Sequence, residues 1–481
     1  FHYNCYKIED LENPKLKNLV LLRLSFGNQI IKENVLPKSL IELHISKNSA
    51  YNQTLVKGIL PNSLKSLLIF NNYNKCFDYD SLPNSLEELQ LGPGYITPIK
   101  RFTLPNSLKI LKLGFKYNLP FELGVLPSSL KKLYLGNSYN QLFIKNVLPE
   151  SLTILKLGND YNQPFLKGSL PKSLTTLKLG YNYNQLFEKD VLPNSLITLE
   201  LGHKYNQPFE EGSLPKSLKI LKLGLDYNQK FKKDVLPKSL EILELGLEYN
   251  QSFEKEVLPE SLKILKLGDN YTKKFKKGVL TKSLKNLEIT YNSKFNFVFN
   301  ELPESLQVLK LGKNYNKEFK KGVLPQTLTT LQLEKYKHPF EKGILPNSLK
   351  ILKLGYQYKK PFEKGILPES LKELYLDLYY NQSFEFEKDI LPKSLTKLYL
   401  GDYYNKPFKK DVLPQSLTKL YLGYNYNYAF EKGVLPESLT TLKLGNNYNH
   451  PFEKGVLPES LKTLKLGYKY NHSFEKDIMP K

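Results

Sequence analysis

A chain of 481 residues would ordinarily divide into about two to four globular domains, and it contains neither an apolar run of about 18 residues that could span a bilayer nor a charged-then-apolar leader. Lys and Arg number 70 against 47 Asp and Glu, and the net charge of +23 predicts weak attraction to polyanions. Arg23 and Arg101 are the only arginines and there is no tryptophan, which speaks against a nucleic-acid reader built on arginine forks or stacking platforms; the wealth of Lys, Asn, Tyr, Ile and Phe matches A/T-rich codons and accounts for much of the charge.

The chain opens at Phe1 without a methionine, so further sequence is expected ahead of it. Residues 1–36 read as degenerate rungs of a repeat, with Tyr3-Asn4 as the tail of one and Pro14 through Leu36 as the next. Cys5 and Cys76 stand more than three repeats apart and predict no disulfide. From Pro37 onward the motif Leu-Pro-x-Ser-Leu returns at Pro61 and Pro83, then every 22 residues to Pro259. Thr281 replaces the proline once, and the series runs on from Pro303 to Pro480. Such a period is the signature of a solenoid, and it overrides the length-based estimate of domain number.

Within the rung 170–191 the segment Leu177-Lys178-Leu179-Gly180 alternates apolar and variable residues, the pattern of a half-buried strand. One short strand per rung, always linked in the same direction, predicts a parallel sheet with rungs about 4.8 Å apart. The remainder of the rung carries Gly or Pro every few residues and is expected to be extended or tightly turned, not helical. The Asn of each Tyr-Asn pair, as in Tyr161-Asn162, Tyr205-Asn206, Tyr227-Asn228 and Tyr249-Asn250, is expected to satisfy backbone groups as a ladder. The Phe that follows (Phe165, Phe209, Phe231, Phe253) is expected to fill its rung's core.

The residue between the two strand leucines faces outward, and reading it rung by rung gives Lys178, Glu200, Lys222, Glu244, Lys266, Glu288 and Lys310, alternating in sign. Three tyrosines on consecutive rungs, Tyr375, Tyr399 and Tyr421, follow later in the same column. These ten residues form the candidate partner-contact set. For the tyrosines a contact patch and mutual stacking that steadies the sheet both stay open. Irregular rungs are expected near 281–303, 325–346 and 368–392, the second of them at Glu334-Lys-Tyr-Lys-His338. The chain ends mid-motif at Met479-Pro480, and with no cap visible at either end the domain is taken as one solenoid over 1–481.

His450 and His472 alone among the six histidines share a rung position, too few ligands for zinc. No phosphate loop, nucleophile elbow or carboxylate pair stands out, so no catalytic, cofactor or metal site is expected. Sequons at Asn52, Asn250, Asn270, Asn381 and Asn471 mostly fall on the Asn ladder and do not argue for secretion; an intracellular or virion setting is favoured.

The repeat Leu-Pro-x-Ser-Leu-x-x-Leu-x-Leu-Gly-x-x-Tyr-Asn-Gln-Pro-Phe, seen in full around Tyr161-Asn162-Gln163-Pro164 and Tyr205-Asn206-Gln207-Pro208, resembles the FNIP repeat of social amoebae and giant amoeba viruses, with Tyr for the first Phe. It also looks like the short leucine-rich repeats of bacterial effectors, whose backs are extended. The resemblance covers essentially the whole chain. It implies a mainly β, leucine-rich-repeat-like solenoid of about twenty rungs, with the sheet on one face and extended or turn segments on the other. It implies a non-enzymatic scaffold that holds a protein partner along the exposed sheet. Alternatives are the substrate receptor of an F-box-type ubiquitin ligase whose F-box lies outside this chain, and a structural component stacking end to end. Weak polyanion binding and no membrane association are also expected.

Overall fold

The alternation of leucines folds as read: in the computed structural model, which describes residues 2–7, 9, 11, 14–25, 27–289, 302–313, 315–377, 386–475 and 478–479, each rung contributes one strand of three or four residues. The chain divides into two units, Phe1–Gly246 and Leu247–Lys481. Among the described residues the first holds twelve strands, from His2–Cys5 to Ile242–Glu244, and the second ten, from Ile264–Leu267 to Thr463–Lys465. Within each unit the strands pair parallel and in register, so that Leu177, Leu199 and Leu221 stand directly over one another. The one helical segment described is a 3-10 turn at Pro14–Asn18. No helix among the described residues is long and apolar enough to cross a membrane.

Each rung turns three times around a core of leucine, tyrosine and phenylalanine. Leu170, Leu174, Leu177, Tyr183 and Phe187 of one rung are all buried, each aliphatic or aromatic side chain contributing about 2 kcal/mol of transfer free energy. The tyrosine, whose ring was not anticipated as core, is the largest fully buried side chain of its rung. Its ring stacks on the next copy, with Tyr161 and Tyr183 6.1 Å apart at 8°, and Phe165 stands 6.4 Å from Phe187 at 7°. Those spacings exceed the strand separation of about 4.8 Å. Successive rungs within a unit therefore diverge from the sheet side toward the aromatic side.

Polar groups join rung to rung. The N–H of Leu174 closes the Leu-Pro-x-Ser-Leu turn on the Pro171 carbonyl at 3.1 Å. Ser173 Oγ donates to the Leu152 carbonyl of the preceding rung at 2.7 Å, a bond repeated by Ser195, Ser217 and Ser239. The expected asparagine ladder is present: Asn162 and Asn184 donate their N–H to the side-chain oxygens of Asn140 and Asn162, each at 2.9 Å. The strand-ending glycine has a steric cause, because a Cβ on Gly180 would lie 2.0 Å from the Gly158 carbonyl oxygen. The turn after the Phe requires positive φ, filled by Gly168 at +80° and by Asp190 at +63°.

One expectation is revised. Tyr3-Asn4 is not the tail of a rung: both lie in the strand His2–Cys5, in register with Leu22 and Arg23, because the alternation in this stretch pairs with the next strand and leaves Cys5 in the core. His450 and His472 take the place of Gln in their rungs: their Nε2 atoms lie 3.0 and 3.1 Å from the Asn427 and Asn449 carbonyls, where Gln141 Nε2 meets the Asn118 carbonyl. Of the irregular rungs, 290–301 and 378–385 lie outside the described residues. The third is described, and its missing residue is absorbed in the turn: Leu331 pairs with Leu352, Tyr336 keeps its buried place, and Lys337 N–H still reaches Asn316 Oδ1 at 2.9 Å.

Candidate partner-binding face

The outward column of the sheet arises from the period of two along each strand, which buries both leucines and leaves the residue between them half-buried. In the first unit Lys178, Glu200, Lys222 and Glu244 follow one another along it, and ion pairs join them. Lys178 Nζ lies 2.8 Å from Glu200, and Lys222 reaches Glu200 at 3.7 Å and Glu244 at 3.5 Å. In the second unit Lys266, Glu288 and Lys310 stand in register, with Lys310 and Glu288 2.8 Å apart. The alternation is thus a self-compensated charge ladder, in which each exposed pair stabilises by only a few tenths of a kcal/mol.

Tyr375, Tyr399 and Tyr421 occupy the same column of the second unit and are brought into contact. Their ring centroids are 4.2 and 4.1 Å apart at 14° and 6°, closer than the strands themselves, because neighbouring rungs converge on this side. Lys353 Nζ sits 4.7 Å over the ring of Tyr375. Tyr375 donates its hydroxyl to Glu373 Oε2 at 2.7 Å, and Lys397 pairs with the other oxygen of that carboxylate. Burial alone would raise the Glu373 carboxyl, but the hydrogen bonds from Lys397 and Tyr375 hold it below the usual range. Burial and the same bond push the Tyr375 hydroxyl up, and burial with the Tyr421 hydroxyl does so for Tyr399.

Reading the column from Lys178 onward missed its earlier stretch. Lys112, Tyr134 and Lys156 line a groove of about 850 Å³ in the first unit, together with Phe115, Tyr181 and His203 just beyond the strand-ending glycines. The same column, read from its beginning, contains the first three of these, whereas the second row comes into view only when the glycine turn is folded back beside the sheet. Among the described residues no group of three or more His, Cys, Asp or Glu is placed to hold a metal ion, and Cys5 and Cys76 form no disulfide.

Comparison with known proteins agrees with this architecture. The family model described as FNIP Repeat matches the chain in an unbroken run of segments from 28–69 to 448–481. No curated protein matches it in sequence. Among solved structures the chain is similar to CroV588 of a giant virus, described as a novel circular leucine-rich-repeat protein, at 34% identity and a TM-score of 0.81, over 96% of this chain and 74% of that one. It shares its fold with TLR13 in a complex with ssRNA13, at 18% identity and a TM-score of 0.62, over 96% of this chain and 76% of that one. The Drosophila Toll–Spätzle complex is similar at 14% identity and 0.58, over 90% and 65%.

Proposed function

The chain belongs to the FNIP repeat family, and on that basis we propose that it is a binding scaffold that works by contact and not by catalysis, holding a macromolecular partner along the outward face of its sheet. Leucine-rich-repeat-like solenoids are typically interaction scaffolds, and two neighbours in fold are complexes, one with a single-stranded RNA and one with a protein. The observation that carries the reading is the stack of Tyr375, Tyr399 and Tyr421, large rigid side chains that lie on the outward face of the sheet and not in the core. Tyrosine offers wide contact area with little rotamer freedom to lose, and an assembled stack has lost most of it already.

The test compares the chain with a variant carrying Tyr375→Ser, Tyr399→Ser and Tyr421→Ser as baits in a lysate of its source cells. Both must show the same far-UV spectrum and cooperative melting. A protein retained by the unaltered chain and lost from the variant supports the reading. Identical retained proteins on both baits would refute the tyrosine face.

A further inference from the structure

The outward face of the sheet carries different charge in different places. Where Lys178, Glu200, Lys222 and Glu244 alternate, ion pairs close the column and no excess of either sign remains. On the strands from Ile351–Leu354 to Thr463–Lys465 the outward residues are Lys353, Tyr375, Tyr399, Tyr421, Lys443 and Lys465 in one column, with Glu373, Lys397 and Lys419 beside them. That is five lysines against one glutamate, and the glutamate already pairs with Lys397 and accepts from Tyr375. Among the described residues, Lys419, Lys443 and Lys465 have no ion-pair partner.

Unpaired cations on a face select an anionic partner, and the rings decide which kind. Nucleic acid exploits tyrosine through the ring face, on which a base stacks. Here both faces of Tyr399 are covered, at 4.2 and 4.1 Å, and one face of Tyr375 lies under Lys353. The outer face of Tyr421 is the one stacking position the triad leaves. What the stack presents instead is a row of ring edges bordered by ammonium groups, and the ammonium groups suit carboxylate oxygens. We infer that this face of the second unit takes an extended, carboxylate-rich polypeptide segment. The inference rests on the scaffold reading for its choice of face and goes beyond it in naming the partner's chemistry.

Fluorescence anisotropy at low and at near-physiological salt tests it with two labelled probes, a capped peptide of alternating Glu and Ser and an oligothymidylate of equal charge. The peptide is expected to bind at least about tenfold more tightly than the oligonucleotide. Lys419→Glu, Lys443→Glu and Lys465→Glu together should weaken peptide binding about tenfold or more, while Lys178→Glu with Lys222→Glu should change it less than about twofold. Equal or tighter binding of oligothymidylate, or a peptide affinity indifferent to the triple reversal, overturns the inference. A peptide that does not bind, together with a serine variant that still loses its lysate partner, overturns the acidic-segment inference and leaves the scaffold reading standing.

Discussion

At the level of single residues, the repeat places the same amino acid in different circumstances along the chain. Tyr161 buries its hydroxyl with no hydrogen-bond partner among the described residues, whereas the Tyr336 hydroxyl accepts from the Phe319 N–H at 3.4 Å. An unmade buried bond costs about 1–3 kcal/mol. Tyr161→Phe is therefore expected to be neutral or stabilising by about 1 kcal/mol, and Tyr336→Phe, which strands the Phe319 N–H, to destabilise by a similar amount; chemical denaturation of the two variants should give opposite signs. Phe102 breaks a local rule, holding φ at +65° where other rungs place Gly, Asp, Asn or, at Glu256, Glu, and it is 75% exposed. Left-handed backbone costs a bulky residue about 1–2 kcal/mol, so Phe102→Asn should raise the denaturation midpoint. Gly180 is constrained the other way: its Cβ would meet the Gly158 carbonyl, and Gly180→Ala should cost about 2 kcal/mol or more by the same measurement.

At the level of the rung, stability comes from columns and not from strands, since three residues of β structure are marginal alone. The Ser and Asn ladders supply bonds between rungs that the short strands cannot. Asn162 accepts from the Asn184 N–H, so Asn162→Ala strands a backbone donor and should cost about 1–3 kcal/mol, with increased amide exchange centred on Asn184. The charge ladder is weaker. Glu200→Lys would set Lys178 and Lys222 beside a further cation, and the expected loss of about 1 kcal/mol at low salt should shrink as salt screens it; a loss unchanged by salt would point to packing instead.

Taken as a whole molecule, the chain invests its aromatic content in the interior, and that has a consequence at high pH. Burial raises the Tyr51 and Tyr95 hydroxyls to about 12 and those of Tyr161, Tyr183 and Tyr205 further. A raised pKa means that the folded chain keeps protons which the unfolded chain releases near pH 10, so stability is undiminished below about pH 10 and falls above it. Because many rungs act together, the fall should be steep. Absorbance at the phenolate wavelength should show the buried tyrosines ionising only as the fold melts; phenolate formation by them in a chain that stays folded would contradict the buried stack.

Much of this was legible in the sequence. The spacing of Leu-Pro-x-Ser-Leu determined a solenoid, because a unit that cannot bury its own leucines must stack on its copies, and the alternation Leu-x-Leu determined which residues face outward. The Asn ladder and the core Phe followed from repetition alone. The partners of each group were not legible. That the tyrosine ring fills the core, that Ser173 bonds the rung before it, that His450 and His472 stand in for Gln, and that Tyr3-Asn4 belong to a strand all depend on which atoms meet across rungs. The outward tyrosines show the difference most plainly: their column could be read from the period, but whether the rings lie apart or closed on one another turns on how far neighbouring rungs converge at that face, a distance that linear order does not contain.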